Sequence, residues 1–220
     1  MKREDEGMPF LLRYENVAWY EDGKVRILDR RVFPREKRFV ICTDYHEVIK
    51  AIQDMVTQSA GPFTAVGMGM ALAAYQCKDM PEEEQVEFLT KAADELGNAR
   101  PTTANRYSAI THRALDKQLK ALQAGKSAVE AAFNDTIDSL NRRYATEQKI
   151  GDNFVRMLSN NSSILTHCYA ETVIGCIIRA AKKQNKTLKA YDTATEPFFQ
   201  GAKLTASCFQ EGGFETTMVP

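Results

Sequence analysis

Residues 163–220 read SILTHC-YA-ETVIGCIIRAAKKQN-K-TLKAYDTA-T-EPFFQGAKLTASCFQEGG-FETTMVP. SILTHC (163–168), TLKAYDTA (187–194) and FETTMVP (214–220) are short runs of strand-forming residues. The stretches between them carry helix signals. Residues 171–185 run into Lys182, Lys183 and Asn185, and residues 196–213 stop on Gly212-Gly213. The Lys182-Lys183 pair complements the negative end of its own helix and is not a binding patch. Strand–helix–strand–helix–strand at this spacing predicts a parallel half-sheet with helices on its faces.

Towards the N-terminus the periodicity changes. LLRYENVAWY (11–20), KVRILD (24–29) and RFVIC (38–42) read as short strands, separated by Glu21-Asp22-Gly23 and Pro34-Arg35-Glu36. Asp44 opens an amphipathic helix with Val48, Ile49, Ile52, Met55 and Val56 on one stripe, and Gly61-Pro62 breaks it. FTAVGMGMALAAY (63–75) is apolar and small on every side, the pattern of a buried helix, where Gly67 and Gly69 admit neighbouring backbones. PEEEQVEFLTKAADELG (81–97) has Pro81 in its first turn, three glutamates at its positive end and Gly97 at its stop. Two more helices are expected over about 101–124 and 126–148, the second with Val129, Phe133, Ile137 and Leu140 on one face. The fold class is therefore α/β. A helical N-terminal domain with a small β-meander is expected over 1–150, and a Rossmann-like parallel domain over 151–220. That second domain is expected to continue beyond Pro220, because three parallel strands ending there leave an unpaired apolar edge.

Composition narrows the function classes. A 220-residue globular chain buries roughly 70% of its unfolded surface, enough for a substantial core. Lysine plus arginine equals aspartate plus glutamate at 29 each, so no global field draws nucleic acid or an anionic membrane. An anionic ligand has to be captured by a few placed donors. MKREDEGMPF lacks the apolar core of a signal peptide, and no run approaches the length of a spanning helix. Five scattered cysteines without a CxxC spacing predict neither a metal site nor a disulfide framework, and fit a reducing cytoplasm.

Three residues stand out chemically. Cys168 lies at the carboxyl end of the first parallel strand, just ahead of a helix; open α/β sheets bind ligands at that edge, and a helix N-terminus favours a thiolate. Position alone accounts for it better as a small packing residue, and His167 alternates to the other face of the strand. Arg100 precedes Pro101-Thr102-Thr103, a Pro-led helix start suited to an anion, where a guanidinium clamps a phosphate or simply faces solvent. Gln200 sits in the first turn after the second parallel strand, where an amide either binds a sugar hydroxyl or is only solvated.

Four stretches in order resemble the methylthioribose-1-phosphate isomerase family. ENVAWYEDGKVRILDRRVFP (15–34) is similar to its N-terminal strand pair, AIQDMV (51–56) to its first core helix, and NARPTTAN (98–105) to its Ala-Arg-Pro-Thr helix start. ILTHC (164–168), followed by PFFQGAKLTA (197–206), resembles its catalytic-domain signature. The same superfamily includes ribose-1,5-bisphosphate isomerases and non-catalytic regulatory subunits of the initiation guanine-exchange factor. The resemblance implies a cytoplasmic, homodimeric isomerase that needs neither metal nor other cofactor and converts a ring-closed ribose 1-phosphate to the open ribulose 1-phosphate. It places Cys168 on the catalytic cysteine, Arg100 on a substrate-binding arginine and Gln200 on a substrate-contacting glutamine.

The chain also departs from that pattern. The family's Arg-Gly-Ala of the substrate region reads Gln58-Ser59-Ala60, the asparagine after the cysteine is Tyr169, and the arginine of the acidic–Thr–Arg–Pro segment is Glu196. Two cations are thereby lost, which points to an altered substrate or to lost activity. The catalytic aspartate of the family and an Asn-Lys substrate motif are expected beyond Pro220, so residues 1–220 alone are expected to be inactive. The runner-up function is a non-catalytic module that binds a sugar phosphate or nucleotide.

Overall fold

The computed structural model describes residues 3–220, which cluster into two compact units. One holds Val17–Asp29 and Arg38–Ser139; the other holds the residues up to Asn16, Arg30–Lys37 and Leu140–Pro220.

The strand expected over 11–20 forms only at its end. Phe10–Leu12 is a 3-10 turn, Tyr14–Val17 a one-turn helix (α1), and strand β1 is Ala18–Glu21. The backbone groups ahead of β1 are occupied by side chains instead of a ladder. The Tyr14 N–H donates to the Asp5 carboxylate at 2.8 Å, and the Leu12 carbonyl accepts from the Tyr144 hydroxyl at 2.7 Å.

In the first unit β1, β2 (Lys24–Leu28) and β3 (Phe39–Cys42) form an antiparallel sheet in that order. Helix α2, Tyr45–Gln53, starts with a capping box: Asp44 accepts from the His46 N–H at 2.7 Å, and Glu47 accepts from the Asp44 N–H at 3.2 Å. It ends before Met55 and Val56. Gly61-Pro62 does not terminate this helix but opens the next, α3 (Gly61–Cys77), because a proline in a first turn gives up no intrahelical hydrogen bond. Apart from Phe63, Tyr75 and Gln76, α3 is buried throughout, as its uniform apolarity predicts. Helices α4 (Glu82–Gly97) and α5 (Ala104–Gln123) pack on it, as do α2, β1 and β2. A Cβ on Gly67 would stand 2.4 Å from Thr136 Oγ1, and one on Gly69 2.9 Å from Leu96 Cδ2, which is the close approach expected there.

Helix α6, Ala128–Met157, passes from one unit's residues into the other's at Leu140. In the second unit β4 (Ser162–Thr166), β5 (Leu188–Thr193) and β6 (Glu215–Val219) form a parallel sheet in sequential order, with Thr166, Asp192 and Met218 in register. Helix α7 (Thr172–Lys183) connects β4 to β5. Between β5 and β6 come a π-helical turn, Gly201–Thr205, and helix α8, Ala206–Glu211. Ile164, Leu188 and Ala190 are buried on one sheet face, whereas Leu165, which alternates to the other, is 71% exposed. Helix α6 was expected to end near 148, yet it continues through Gly151. A Cβ at Gly151 would lie 2.7 Å from the Cys176 carbonyl carbon, so this glycine serves a helix contact and is not a stop.

Candidate functional site

Residues at the carboxyl ends of β4 and β5 meet through hydroxyl groups. Past β4, the Cys168 N–H donates to Thr195 Oγ1 at 3.1 Å, and the Cys168 carbonyl accepts from Thr205 Oγ1 at 2.6 Å. His167 Nδ1 lies 2.9 Å from Thr193 Oγ1, and Thr166 Oγ1 donates to Asp192 Oδ1 at 2.5 Å. The fully buried Asp192 carboxyl is pushed up by that burial, with the Thr166 hydroxyl pulling it part of the way back. A cleft of about 590 Å³ opens beside them, lined by His167, Thr193, Ala194, Thr195, Glu196 and Pro220.

Cys168 differs from the other four cysteines. Cys42, Cys77, Cys176 and Cys208 are buried, and burial pushes their thiols up to about 12, 11, 12 and 12 in that order. Cys168 alone is half-exposed. Its backbone is also left-handed (φ 63°), as are Glu171 (φ 34°), Thr195 (φ 61°) and Phe199 (φ 57°). Non-glycine residues avoid this region unless the surroundings hold them there, and such strain concentrates at functional sites. Gln200, partly buried, directly precedes the π-helical turn that carries Thr205.

The other candidates lie in the first unit. Gln58 is buried, with its amide donating to the Met55 carbonyl at 3.4 Å; Ser59 is left-handed (φ 57°) and Ala60 is the residue ahead of α3. Arg100, half-buried, contacts the Met55 sulfur through Nη2, so the structure brings Arg100 to the turn that carries Gln58, Ser59 and Ala60. Pro101 begins a short 3-10 turn (Pro101–Thr103), and the α-helix proper starts only at Ala104. Thr57 and Thr103 each bury a side-chain oxygen that has no protein partner.

Among the described residues no group of histidine, cysteine, aspartate and glutamate is arranged to hold a metal, and no helix is long and apolar enough to cross a membrane.

The sequence profile of the Initiation factor 2 subunit family matches residues 58–220. The chain belongs to that family. Curated relatives that it resembles include proteins named methylthioribose-1-phosphate isomerase. The one from Fervidobacterium nodosum is 28% identical over 94% of this chain and 61% of its own length; the one from Koribacter versatilis is 30% identical over 93% and 60%. The chain therefore spans about 60% of the length of these family members. Among solved structures, the translation initiation factor eIF-2B subunit delta from A. fulgidus superposes with a TM-score of 0.74 at 25% identity, covering 93% of this chain and 62% of that one. The 5-methylthioribose 1-phosphate isomerase from Pyrococcus horikoshii OT3 shares the fold, with a TM-score of 0.74 at 24% identity over 98% and 61%.

Sequence reading missed Thr195, Thr205, Asp192 and Met55. The first two lie within or beside the segment PFFQGAKLTA (197–206), and their hydroxyls were legible as candidate donors to a strand end. Asp192 also had a signal, a carboxylate at a position whose alternation with Leu188 and Ala190 places it on the buried face. Met55 had none.

Proposed function

We propose that the full-length protein acts as an aldose–ketose isomerase on a ribose 1-phosphate, either methylthioribose 1-phosphate or a relative with another group at C5. The observation that carries the reading is the half-exposed Cys168 thiol, whose backbone is held by hydroxyls flanking and within the second signature segment. The names of the curated relatives support the same reaction class.

With phosphate on C1, the sugar ring opens only if its ring oxygen receives a proton, and a hydrogen then has to pass between C1 and C2. Both steps call for a group that gives and takes protons at close range. Cys168 is the proposed thiol. Its carboxyl partner, by the resemblance, belongs to the part of the relatives' length that this chain does not span. Arg100 is the proposed phosphate ligand beside the Gln58-Ser59-Ala60 turn, and Gln200 is the proposed partner of a sugar hydroxyl. A homodimer in the cytoplasm is part of the same proposal, and light scattering tests its subunit count.

A second reading has its own observation. Glu196 lines the cleft where the family carries an arginine, and Gln58 stands where it carries another. A carboxylate there disfavours a phosphate, so a non-catalytic module for a sugar phosphate or nucleotide is the alternative.

Turnover of methylthioribose 1-phosphate by the full-length wild type and the full-length Cys168→Ser variant, followed as ketose phosphate formation, separates the two. The variant is nearly isosteric and should turn over at least about a hundredfold more slowly, the usual scale for an acid–base group. Wild-type turnover in the variant ends the thiol assignment. Full-length wild-type protein that binds ribose 1-phosphate in calorimetry yet converts none of it moves the second reading to first place.

A further inference from the structure

The turn from β4 into α7 is pinned at both ends. Cys168 is tied through its own N–H and carbonyl to Thr195 and Thr205. At the far end Glu171, left-handed and 1% exposed, directly precedes α7 and accepts from Arg30 Nη2 at 3.1 Å and Nη1 at 3.4 Å. Arg30 is fully buried. Tyr169, between the two ends, is also buried; its ring centroid lies 5.7 Å from the Arg30 guanidinium carbon, and its hydroxyl lies 3.9 Å from Cys208 Sγ. Arg30 reaches this turn from a segment some 140 residues earlier in the chain.

Stability does not explain such a pair. Two ions taken out of water lose solvation that their attraction scarcely returns, and well-packed apolar residues of similar volume often do as well or better. A left-handed glutamate adds backbone strain. What the pair supplies is direction: a forked donor under one end of a four-residue turn whose other end carries the half-exposed thiol.

We infer that Arg30 and Glu171 are positioning residues, which hold the Cys168–Glu171 turn so that the Cys168 thiol is presented in one fixed, partly covered attitude at the sheet edge. The inference deepens the proposed isomerase reading and rests on it for its purpose, but its test needs no substrate. Cys168 is the one half-exposed thiol of five, so iodoacetamide modifies it first in folded protein, and peptide mass mapping identifies the site.

The variants are Arg30→Met, Arg30→Lys and the double variant Arg30→Met with Glu171→Met. The double variant removes both charges and keeps two unbranched side chains, so it guards against the misfolding that a lone buried carboxylate causes. Expected is a melting temperature within a few degrees of wild type for the double variant, with Cys168 alkylation at least fivefold faster. Arg30→Lys, which keeps one charged contact, should fall between. Equal alkylation rates in wild type and a folded double variant overturn the inference. So does acceleration that appears only in proportion to a loss of melting temperature, since global loosening then accounts for it. If the full-length protein shows no isomerase activity but the double variant alkylates faster, the positioning stands while its catalytic purpose falls.

Discussion

Replacing Gly201 by alanine tests how the second loop is seated against the sheet. A Cβ at this position would stand 1.8 Å from the Thr193 carbonyl oxygen, 3.0 Å from its carbon and 3.1 Å from Thr195 Oγ1. Two of those atoms are backbone at the end of β5, so no side-chain rotation relieves them. Ordinary contact is about 3.5 Å, so the turn has to retreat by more than about 1 Å. Overpacking of this kind costs roughly 1–3 kcal/mol, and a backbone obstacle puts it at the upper end. Alanine's advantage over glycine in a helix returns roughly 0.5–1 kcal/mol. The net expectation is a loss of about 2 kcal/mol in urea denaturation followed by circular dichroism. The retreat also carries Thr205 away from the Cys168 carbonyl, a bond now 2.6 Å long. Alkylation of Cys168 should therefore quicken with the loss of stability. Gly125→Ala is the control: it is strained by its left-handed backbone but meets no atom within 4 Å. A Gly201→Ala protein within about 0.5 kcal/mol of wild type, with unchanged alkylation, would refute the seating described.

Three further outcomes follow from the structure. Arg100→Ala should weaken binding of a ribose 1-phosphate by roughly 1.5–3 kcal/mol in calorimetry, the scale of a hydrogen bond to a charged group; unchanged affinity places the phosphate elsewhere. The Asp192 carboxyl is raised by burial, so its contribution is fully present below the ordinary aspartate value near 3.9 and is lost as pH rises through its raised folded value. The stability of Asp192→Asn relative to wild type should therefore improve as urea melts move from pH 4 to 7, and parallel curves would contradict the raised carboxyl. Asp135, 1% exposed, is held below the usual carboxylate range: burial opposes this, but bonds from Arg113 at 3.0 and 3.1 Å and an ion pair with Lys117 at 2.8 Å outweigh it. Asp135→Asn should cost about 2 kcal/mol at neutral pH, less than a fully buried pair because both cations reach water, and the difference should shrink as acid protonates the wild-type carboxylate.

The parallel half-sheet was legible because its signals are local: each strand run, glycine stop and lysine end marks its own short segment without help from distant residues. The Asp44 cap was legible for the same reason. The stretch ahead of β1 was misread because LLRYENV has strand composition, while the groups that divert it, Asp5 and Tyr144, act through tertiary contacts. The helix expected to end near 148 runs on through Gly151, because a glycine that admits another helix carries no mark in the sequence that tells it from one that ends its own. At the site, Cys168 and Gln200 were visible from their place after strands, whereas the Arg30–Glu171 pair spans 141 residues and left no periodic trace.

Helix α3 has no solvent-facing stripe, and that constrains how its unit comes apart. From Thr64 to Ala74 it is buried all round, packed against α2, α4, α5, β1 and β2. None of these can detach without wetting part of α3, and α3 cannot detach without uncovering all of them. The unit should consequently lack small openings around this helix, so that its amides exchange with deuterium only through whole-unit unfolding. The amides from Ala65 to Ala74 should form one slow class with a common denaturant dependence, while the exposed ends of α4 and α5 exchange far earlier by fraying.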